Sequence, residues 1–294
     1  MKAILLILAI TAILVNAQPR SGQGHILCSD QKTSDVLIMD ANADWSTPQA
    51  ILWQWNPKDD KAVKPEQVRA YRNPSDAKTV LDGTHVLVVA SGGGVALVNI
   101  ESKTALFQCF PGGNPHSAEL LPDGTIITAS SHGNNLKIYS RTDDGTAIRK
   151  ENKIELRDAH GVVWDSTLNL VWAIGAELLN AYRYNFDKDN PDLILVQSFS
   201  PKPRPYYGHD LVFIPPNRLL TTGVDIQEFD TFLTRFSPIA KLGSVKSVSI
   251  NPIDNSTIIQ KPSEQWWNQS IIELEGKKRI WTKPGARFYK ARWF

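Results

Sequence analysis

A pair of predicted strands joined by a tight turn decides how this chain folds. Residues 114–133 read NPHSAELLPDGTIITASSHG, in which two apolar alternations flank the turn Asp123-Gly124. An Asp-Gly pair between alternating apolar residues is typical of a β-hairpin. His116 stands at the start of the first strand, where a single histidine is most simply a turn residue. Whether His116 has a functional role can be judged only if the hairpin is repeated along the chain.

The hairpin belongs to a repeat that runs along the whole chain. Six similar half-alternating strands begin 41 to 59 residues apart, at Val36, Val95, Leu136, Leu179, Ile226 and Ile271. A period in the forties with about four strands per unit is typical of a β-propeller. We therefore predict an all-β, six-bladed β-propeller with four-stranded blades, formed by residues 18–294 as one domain. A β-sandwich is the alternative, but it does not predict six copies at near-constant spacing.

The two ends of the repeat complement each other. The first unit lacks an innermost strand, whereas the chain ends with a surplus one, ARFYKARWF from Ala286. We predict that this last strand completes the N-terminal blade and closes the ring. Closure of the ring would remove exposed sheet edges.

The N-terminus and the charge balance limit where the protein acts. Residues 1–17, MKAILLILAITAILVNA, have the form of a signal peptide, so we expect a secreted protein. No other apolar stretch is long enough for a membrane span, which needs about twenty residues.

The 32 Lys and Arg against 30 Asp and Glu give a formal net charge of +2, which argues against nucleic acid and anionic membranes as partners. We expect a monomer.

Two further features of the sequence leave alternatives open. Cys28 and Cys109 are the only cysteines, and they form either one disulfide or two buried free thiols. Asn255 and Asn268 begin N-x-S/T triplets, which suit glycosylation of a secreted protein but also occur often by chance.

Alignment of the repeats shows that His116 has equivalents in other units. The equivalent positions in the next two units are His160 and His209, each at the start of an innermost strand. Innermost strands of a propeller line its central channel, so we expect the three imidazoles to converge. Three nitrogen donors leave a coordination position open for water or substrate, as in catalytic zinc, manganese or iron sites. We predict that His116, His160 and His209 bind a divalent metal ion.

Other polar residues are predicted to lie at the same face of the ring. A mouth that is half histidine and otherwise polar or cationic suits an anionic ligand such as a uronate. The simpler interpretation of these residues is that the lysines are solvated and the tyrosines pack at the rim. The candidate catalytic residues are His132 and Tyr207, and the candidate substrate-binding residues are Arg204, Tyr206, Lys246 and Lys290.

Several stretches resemble a known group of proteins. SGGGVALVNI, NPHSAELLPDG, AHGVVWD, GHDL and FYKARW resemble an uncharacterised family of secreted propeller proteins known mainly from bacteria. This resemblance implies the fold and the histidine positions but no activity. The chain is more loosely similar to propeller polysaccharide lyases such as oligogalacturonate lyase, which have a different blade number and hold a divalent metal with histidines. That similarity is architectural only.

These observations support three hypotheses about function. The first is a metal-dependent enzyme, lyase-like or hydrolytic, that acts on a small or polymeric acidic carbohydrate. The second is a non-catalytic module that binds a glycan or a protein at the same face. The third is a propeller whose ring histidines bond only one another and water. Nucleophilic hydrolases are disfavoured, because the sequence contains no G-x-S-x-G elbow and no P-loop.

Overall fold

The computed structural model describes residue 19 and residues 24–274 and 278–294. The predicted signal peptide lies outside these residues, so secretion stays a prediction. Within them the regular secondary structure is almost entirely β-strand. Of the two short 3-10 helices in these residues, Pro48–Ala50 immediately precedes the strand Ile51–Trp55, and Val68–Tyr71 lies in the connection between the first two blades.

The strands form six antiparallel sheets of four, as predicted. Blade 1 contains β1 (His25–Asp30), β2 (Asp35–Asp40) and β3 (Ile51–Trp55), and blade 2 contains β4 (Pro74–Val80), β5 (His85–Ala90), β6 (Val95–Asn99) and β7 (Thr104–Cys109). Blade 3 contains β8 (Pro115–Leu120), β9 (Ile126–Ser130), β10 (Asn135–Arg141) and β11 (Ile148–Glu155). Blade 4 contains β12 (Gly161–Asp165), β13 (Leu170–Ile174), β14 (Leu179–Tyr184) and β15 (Leu193–Phe199). Blade 5 contains β16 (Asp210–Ile214), β17 (Arg218–Thr222), β18 (Ile226–Asp230) and β19 (Arg235–Ala240). Blade 6 contains β20 (Ser247–Ile250), β21 (Thr257–Gln260), β22 (Ser270–Glu273) and β23 (Ile280–Thr282).

The last strand, β24 (Phe288–Trp293), completes blade 1. It pairs antiparallel with β1, with Ile26 opposite Trp293 and Cys28 opposite Ala291. The predicted closure of the ring by the C-terminal strand is therefore confirmed.

The hydrophobic core lies between neighbouring blades. In the cluster shared by blades 1 and 2, Trp53 and Trp55 of β3 pack with Val86 and Val88 of β5. The indole nitrogen of Trp53 donates a hydrogen bond of 2.8 Å to the carbonyl of Ile100. This packing explains the alternation in the sequence, because each strand places apolar side chains against the adjacent sheet.

The placement of the cysteines decides between the two alternatives. Cys28 lies in β1 and Cys109 in β7, and both are buried free thiols. None of the helices in the described ranges is long and apolar enough to cross a membrane.

Candidate ligand pocket at the channel mouth

Each innermost strand begins with an irregularity that aims one side chain at the channel mouth. In β4 and β8 the pairing register shifts at Ser75 and His116, and in β24 it shifts at Tyr289 and Lys290. The other three blades show a similar irregularity at His160, His209 and Lys246. The backbone amide of each donates to a carbonyl of the second strand, but the residue that carries this carbonyl pairs with the next residue of the innermost strand. β-Bulges of this kind redirect side chains next to functional sites. We call the six aligned residues the mouth ring: Ser75, His116, His160, His209, Lys246 and Tyr289.

The structure brings the three predicted histidines together. The ring centroids of His116 and His160 are 4.5 Å apart, and the two planes are nearly parallel at 18°. His209 lies edge-on to His160, with a centroid distance of 4.6 Å. Tyr289 is tilted against the other side of His116 at 5.3 Å. A continuous aromatic wall is thus formed by Tyr289, His116, His160 and His209, which come from blades 1, 3, 4 and 5.

Burial keeps these histidines neutral. It lowers the pKa of His160 to about 4, although the nearby Asp158 opposes the shift. Burial also lowers the pKa of His116 and His209 well below the usual value, and the neighbouring imidazole of His160 adds to this effect. The His160 Nδ1 atom lies 2.9 Å from the carbonyl oxygen of Asp158, a distance at which a neutral ring donates from Nδ1.

Lys246 is the cation of the mouth ring. Its Nζ lies 2.8 Å from His209 Nε2, to which the ammonium donates a hydrogen bond. Burial, together with the charge of Lys290, lowers the pKa of Lys246 to about 8. Among the residues that the structure describes, no carboxylate lies within 4.0 Å of this ammonium. A neutral imidazole is its only hydrogen-bond partner within the same residues.

Every member of the mouth ring except the buried Ser75 lines a pocket of about 400 Å³. His132 and Asp158 stand at its rim, and Trp266 lines it from the loop between β21 and β22. Trp266 is half-exposed, and its Nε1 donates a hydrogen bond of 3.0 Å to Gln31 Oε1. The pocket therefore combines a cation, neutral imidazoles and an exposed indole in one cavity.

The arrangement does not fit a three-histidine metal centre. No group of three or more His, Cys, Asp or Glu side chains within the described residues is placed to hold a metal ion. The imidazoles of His116 and His160 stack, and the ammonium of Lys246 occupies the Nε2 atom of His209. A metal ion at His209 Nε2 would have to displace that ammonium. Metal binding by the three histidines stays a prediction.

The predicted position of Lys290 at the mouth is wrong by one residue. The bulge in β24 places Tyr289 in the mouth ring and turns Lys290 into the channel wall below it. The Lys290 side chain is buried, and its Nζ donates to Asp210 Oδ1 at 3.0 Å and to the carbonyl of His116 at 3.1 Å. Lys290 therefore has its partners within the protein.

The loop before β16 does not carry its predicted residues into the pocket. Tyr206 is fully buried, and its hydroxyl donates to the carbonyls of Thr221 and Asp225, 3.1 and 3.0 Å away. Arg204 pairs at 3.9 Å with Glu177, which follows β13, so the loop lies over blade 4. Tyr207 is exposed and, like Arg204 and Tyr206, is absent from the pocket lining.

Sequence reasoning missed several residues of the pocket, and two of them, Tyr289 and Asp158, contact the mouth-ring histidines. Tyr289 would have been found only by counting one bulge residue in β24, as in the other innermost strands. Asp158 lies two residues before His160, in the loop before β12. The sequence indicates this loop but does not specify in which direction its side chains point.

Fold and site together define a six-bladed β-propeller with a histidine-lined axial pocket. The sequence profile of the DUF6528 family, a family of unknown function, matches residues 20–294, and the chain belongs to that family. No curated protein matches its sequence.

Two solved structures are similar to the chain in fold. One is a protein of unknown function from Bacteroides caccae, with 12% identity, a TM-score of 0.62, and coverage of 91% of this chain and 97% of the other. The other is hydrazine synthase from Kuenenia stuttgartiensis, with 12% identity and a TM-score of 0.51. That match covers 71% of this chain, which spans 65% of the hydrazine synthase chain, less than two thirds. At these identities the likeness extends to the propeller fold alone.

Proposed function

We propose that the pocket at the channel mouth binds an acidic carbohydrate, with the ligand's carboxylate at Lys246. The observation that carries the proposal is the Lys246 ammonium, which faces the pocket and has His209 Nε2, 2.8 Å away, as its partner. The Asp158 carboxylate lines the same pocket but is not within 4.0 Å of this ammonium. A largely buried cation without a directly paired carboxylate is costly, and a ligand carboxylate would supply that pairing. Charge-assisted hydrogen bonds of this kind are among the strongest in proteins.

The remaining wall of the pocket suits the sugar ring. A neutral imidazole donates from one ring nitrogen and accepts at the other. His160 donates from Nδ1 to the Asp158 carbonyl, so its Nε2 can accept a hydrogen bond from a sugar hydroxyl, and His116 offers a second imidazole beside it. The half-exposed indole of Trp266 offers an apolar surface at the rim for the C–H face of a pyranose. The cavity volume of about 400 Å³ is within the range of small-molecule sites.

Removal of the Lys246 charge tests the proposal. Calorimetric titration of the wild-type protein with D-galacturonate should show saturable binding, and D-galactose should bind more weakly. We expect Lys246→Met to weaken galacturonate binding by about 10- to 100-fold, because one charge-assisted hydrogen bond is lost. Lys241→Met is the matched control, since Lys241 is an exposed lysine in the same connection before β20.

Two results would contradict the assignment of the carboxylate to Lys246. One is equal affinity of the wild-type protein for galacturonate and galactose. The other is unchanged galacturonate binding by Lys246→Met, since the ligand would then occupy another site.

A second candidate function is a lyase that acts on the same ligand. The observation that favours it is the presence of neutral imidazoles beside the proposed carboxylate site. In a β-elimination, an imidazole such as that of His116 or His160 would take the proton on the carbon next to the carboxylate. The electron pair of that C–H bond would form a C=C bond as the C–O bond on the adjacent carbon breaks, and the oxygen of the leaving sugar would take up a proton from water. His132, one of the two catalytic residues predicted from the sequence, lines the same pocket, and the other, Tyr207, does not.

Turnover distinguishes the lyase from a binding module. The measurement is the ultraviolet absorbance of unsaturated uronate during incubation with polygalacturonate, before and after treatment with a chelator. The lyase predicts an absorbance increase that His160→Gln reduces. Binding without any increase would leave the non-catalytic module as the function, and metal analysis of the same sample tests the predicted divalent ion.

A further inference from the structure

The channel contains a second cavity at the end opposite the mouth pocket. The volume of this cavity is about 270 Å³. It is lined by the residue that follows each member of the mouth ring by three positions on the innermost strand. The two cavities share no lining residue. We call these six residues the lower ring: Lys78, Glu119, Val163, Val212, Ser249 and Arg292.

An ionic cluster separates the lower cavity from the mouth pocket. Arg292 Nε donates to Asp76 Oδ1 at 2.8 Å, and Arg292 Nη2 donates to Asp210 Oδ1 at 2.7 Å. Lys290 Nζ lies 3.0 Å from Asp210 and 3.6 Å from Asp76. Asp76 and Asp210 belong to blades 2 and 5, on opposite sides of the ring, so the cluster spans the channel. All four side chains are buried.

The lower cavity has one apolar side and one polar side. Val163 and Val212 of the lower ring stand beside Leu211 and Phe213 in its lining. Across from this apolar side, blades 1 and 2 contribute Arg292 and Lys78, and Glu119 of blade 3 lies next to Lys78. An amphipathic surface of this kind orients a ligand that has one apolar face.

Several polar groups of the cavity have hydrogen-bonding capacity to spare. Lys78 Nζ donates to Glu119 Oε2 at 2.7 Å and to the carbonyl of Val162 at 2.6 Å, which uses two of its three protons. The Thr79 Oγ1 atom is buried and has no hydrogen-bond partner among the described residues. Ser249 Oγ accepts a hydrogen bond of 3.0 Å from the Trp293 amide, which leaves its own proton available. Buried polar groups normally have partners, so these three point to an occupant.

The charges around the cavity balance. Lys78 is paired with Glu119, and Arg292 and Lys290 are paired with Asp76 and Asp210. A charged ligand would therefore enter a partly buried site without a counter-ion, which is costly. In this respect the lower cavity differs from the mouth pocket, where Lys246 has no carboxylate partner among the described residues.

We propose that the lower cavity is a second ligand site, which takes a small neutral molecule with one apolar face and hydroxyl or amide groups on the other. The apolar face would lie on Val163, Val212 and Phe213, and the polar groups would bond to Lys78, Thr79 and Ser249. The site is independent of the acidic carbohydrate proposed for the mouth pocket.

Benzyl alcohol is a suitable probe, because it combines an aromatic ring with one hydroxyl group. In a titration followed by two-dimensional NMR, we expect saturable shifts with a dissociation constant of about 1 mM, as for a tight fragment of this size. The indole N–H signals of Trp164 and Trp293, which line the cavity, should move. Benzoate, the charged analogue, should bind more weakly.

Filling the cavity tests where the probe binds. Val212 is only half-buried, so Val212→Phe should fold and should weaken benzyl alcohol binding by about tenfold or more. Val196→Phe is the matched control on exposed strand β15 and should leave binding unchanged. The proposal is overturned if benzyl alcohol gives no saturable shifts, if benzoate binds equally well, or if Val212→Phe binds as the wild-type protein does. It is also overturned if the shifts map to the mouth pocket.

Discussion

At the scale of single residues, one bulge position decides which side chain faces the ligand pocket. Tyr289 lies in the mouth ring and the adjacent Lys290 lies in the ionic cluster below it. Strand alternation specifies the two faces of a strand, but an inserted residue exchanges them. The prediction that Lys290 lies at the mouth is wrong for this reason, whereas Lys246 lies where the sequence alignment placed it.

The buried carboxylate of Asp76 should contribute strongly to stability. It accepts hydrogen bonds of 2.8 and 2.9 Å from the Arg292 guanidinium. We expect Asp76→Asn to lower the free energy of unfolding by about 3 to 5 kcal/mol at neutral pH, because the buried cations lose a partner. Urea denaturation measures this change. Asp82→Asn, in an exposed turn, should change stability by less than about 0.5 kcal/mol.

The contribution of Asp76 should also depend on pH. Burial by itself would raise the pKa of its carboxyl, but Arg292 and Lys290 hold it well below the usual range. A carboxyl whose pKa is depressed by folding stabilises the protein above the unfolded value of about 4, and this stabilisation is lost as the pH falls toward the folded value. The difference between wild-type and Asp76→Asn should therefore shrink below about pH 4. A difference that stays constant from pH 7 to about pH 3 would show that folding does not lower the pKa of the Asp76 carboxyl.

At the scale of the elements, the C-terminal strand both closes the ring and supplies its central charges. All six residues of β24 are buried, and two of them, Lys290 and Arg292, reach the aspartates of blades 2 and 5. The strand also contributes Tyr289 to the mouth ring. Closure of the propeller and construction of the pocket thus depend on the same segment.

Deletion of residues 288–294 should prevent folding. The truncated chain would leave β1 without its inner partner and would leave Asp76 and Asp210 buried without cations. We expect no cooperative thermal transition by circular dichroism, and partial recovery on adding a synthetic peptide of residues 286–294. A peptide with the same composition in shuffled order is the control. A truncated protein that melts at the wild-type temperature would show that closure by β24 is dispensable.

At the scale of the whole molecule, the sequence predicted the architecture because its signals are local and repeated. Alternation, Asp-Gly turns and the spacing of the copies indicated six blades, and the surplus strand at the C-terminus indicated how the ring closes. The rotational equivalence of the blades then placed His116, His160 and His209 beside one another.

The remaining parts of the site depend on tertiary structure. The path of the loop before β16 buries Tyr206 and draws Arg204 toward Glu177, and no local pattern specifies that path. Contact between Lys246 and His209 arises between adjacent blades, so it follows from the ring geometry and not from sequence spacing. The state of Cys28 and Cys109 likewise depended on the distance between two strands of different blades.

A crystal structure of the protein with D-galacturonate would test the central claim most directly. The account predicts the carboxylate within hydrogen-bond distance of Lys246 Nζ and the sugar ring between the mouth-ring histidines and Trp266. A carboxylate bound elsewhere, or a metal ion held by His116, His160 and His209 in place of the Lys246 contact, would contradict it.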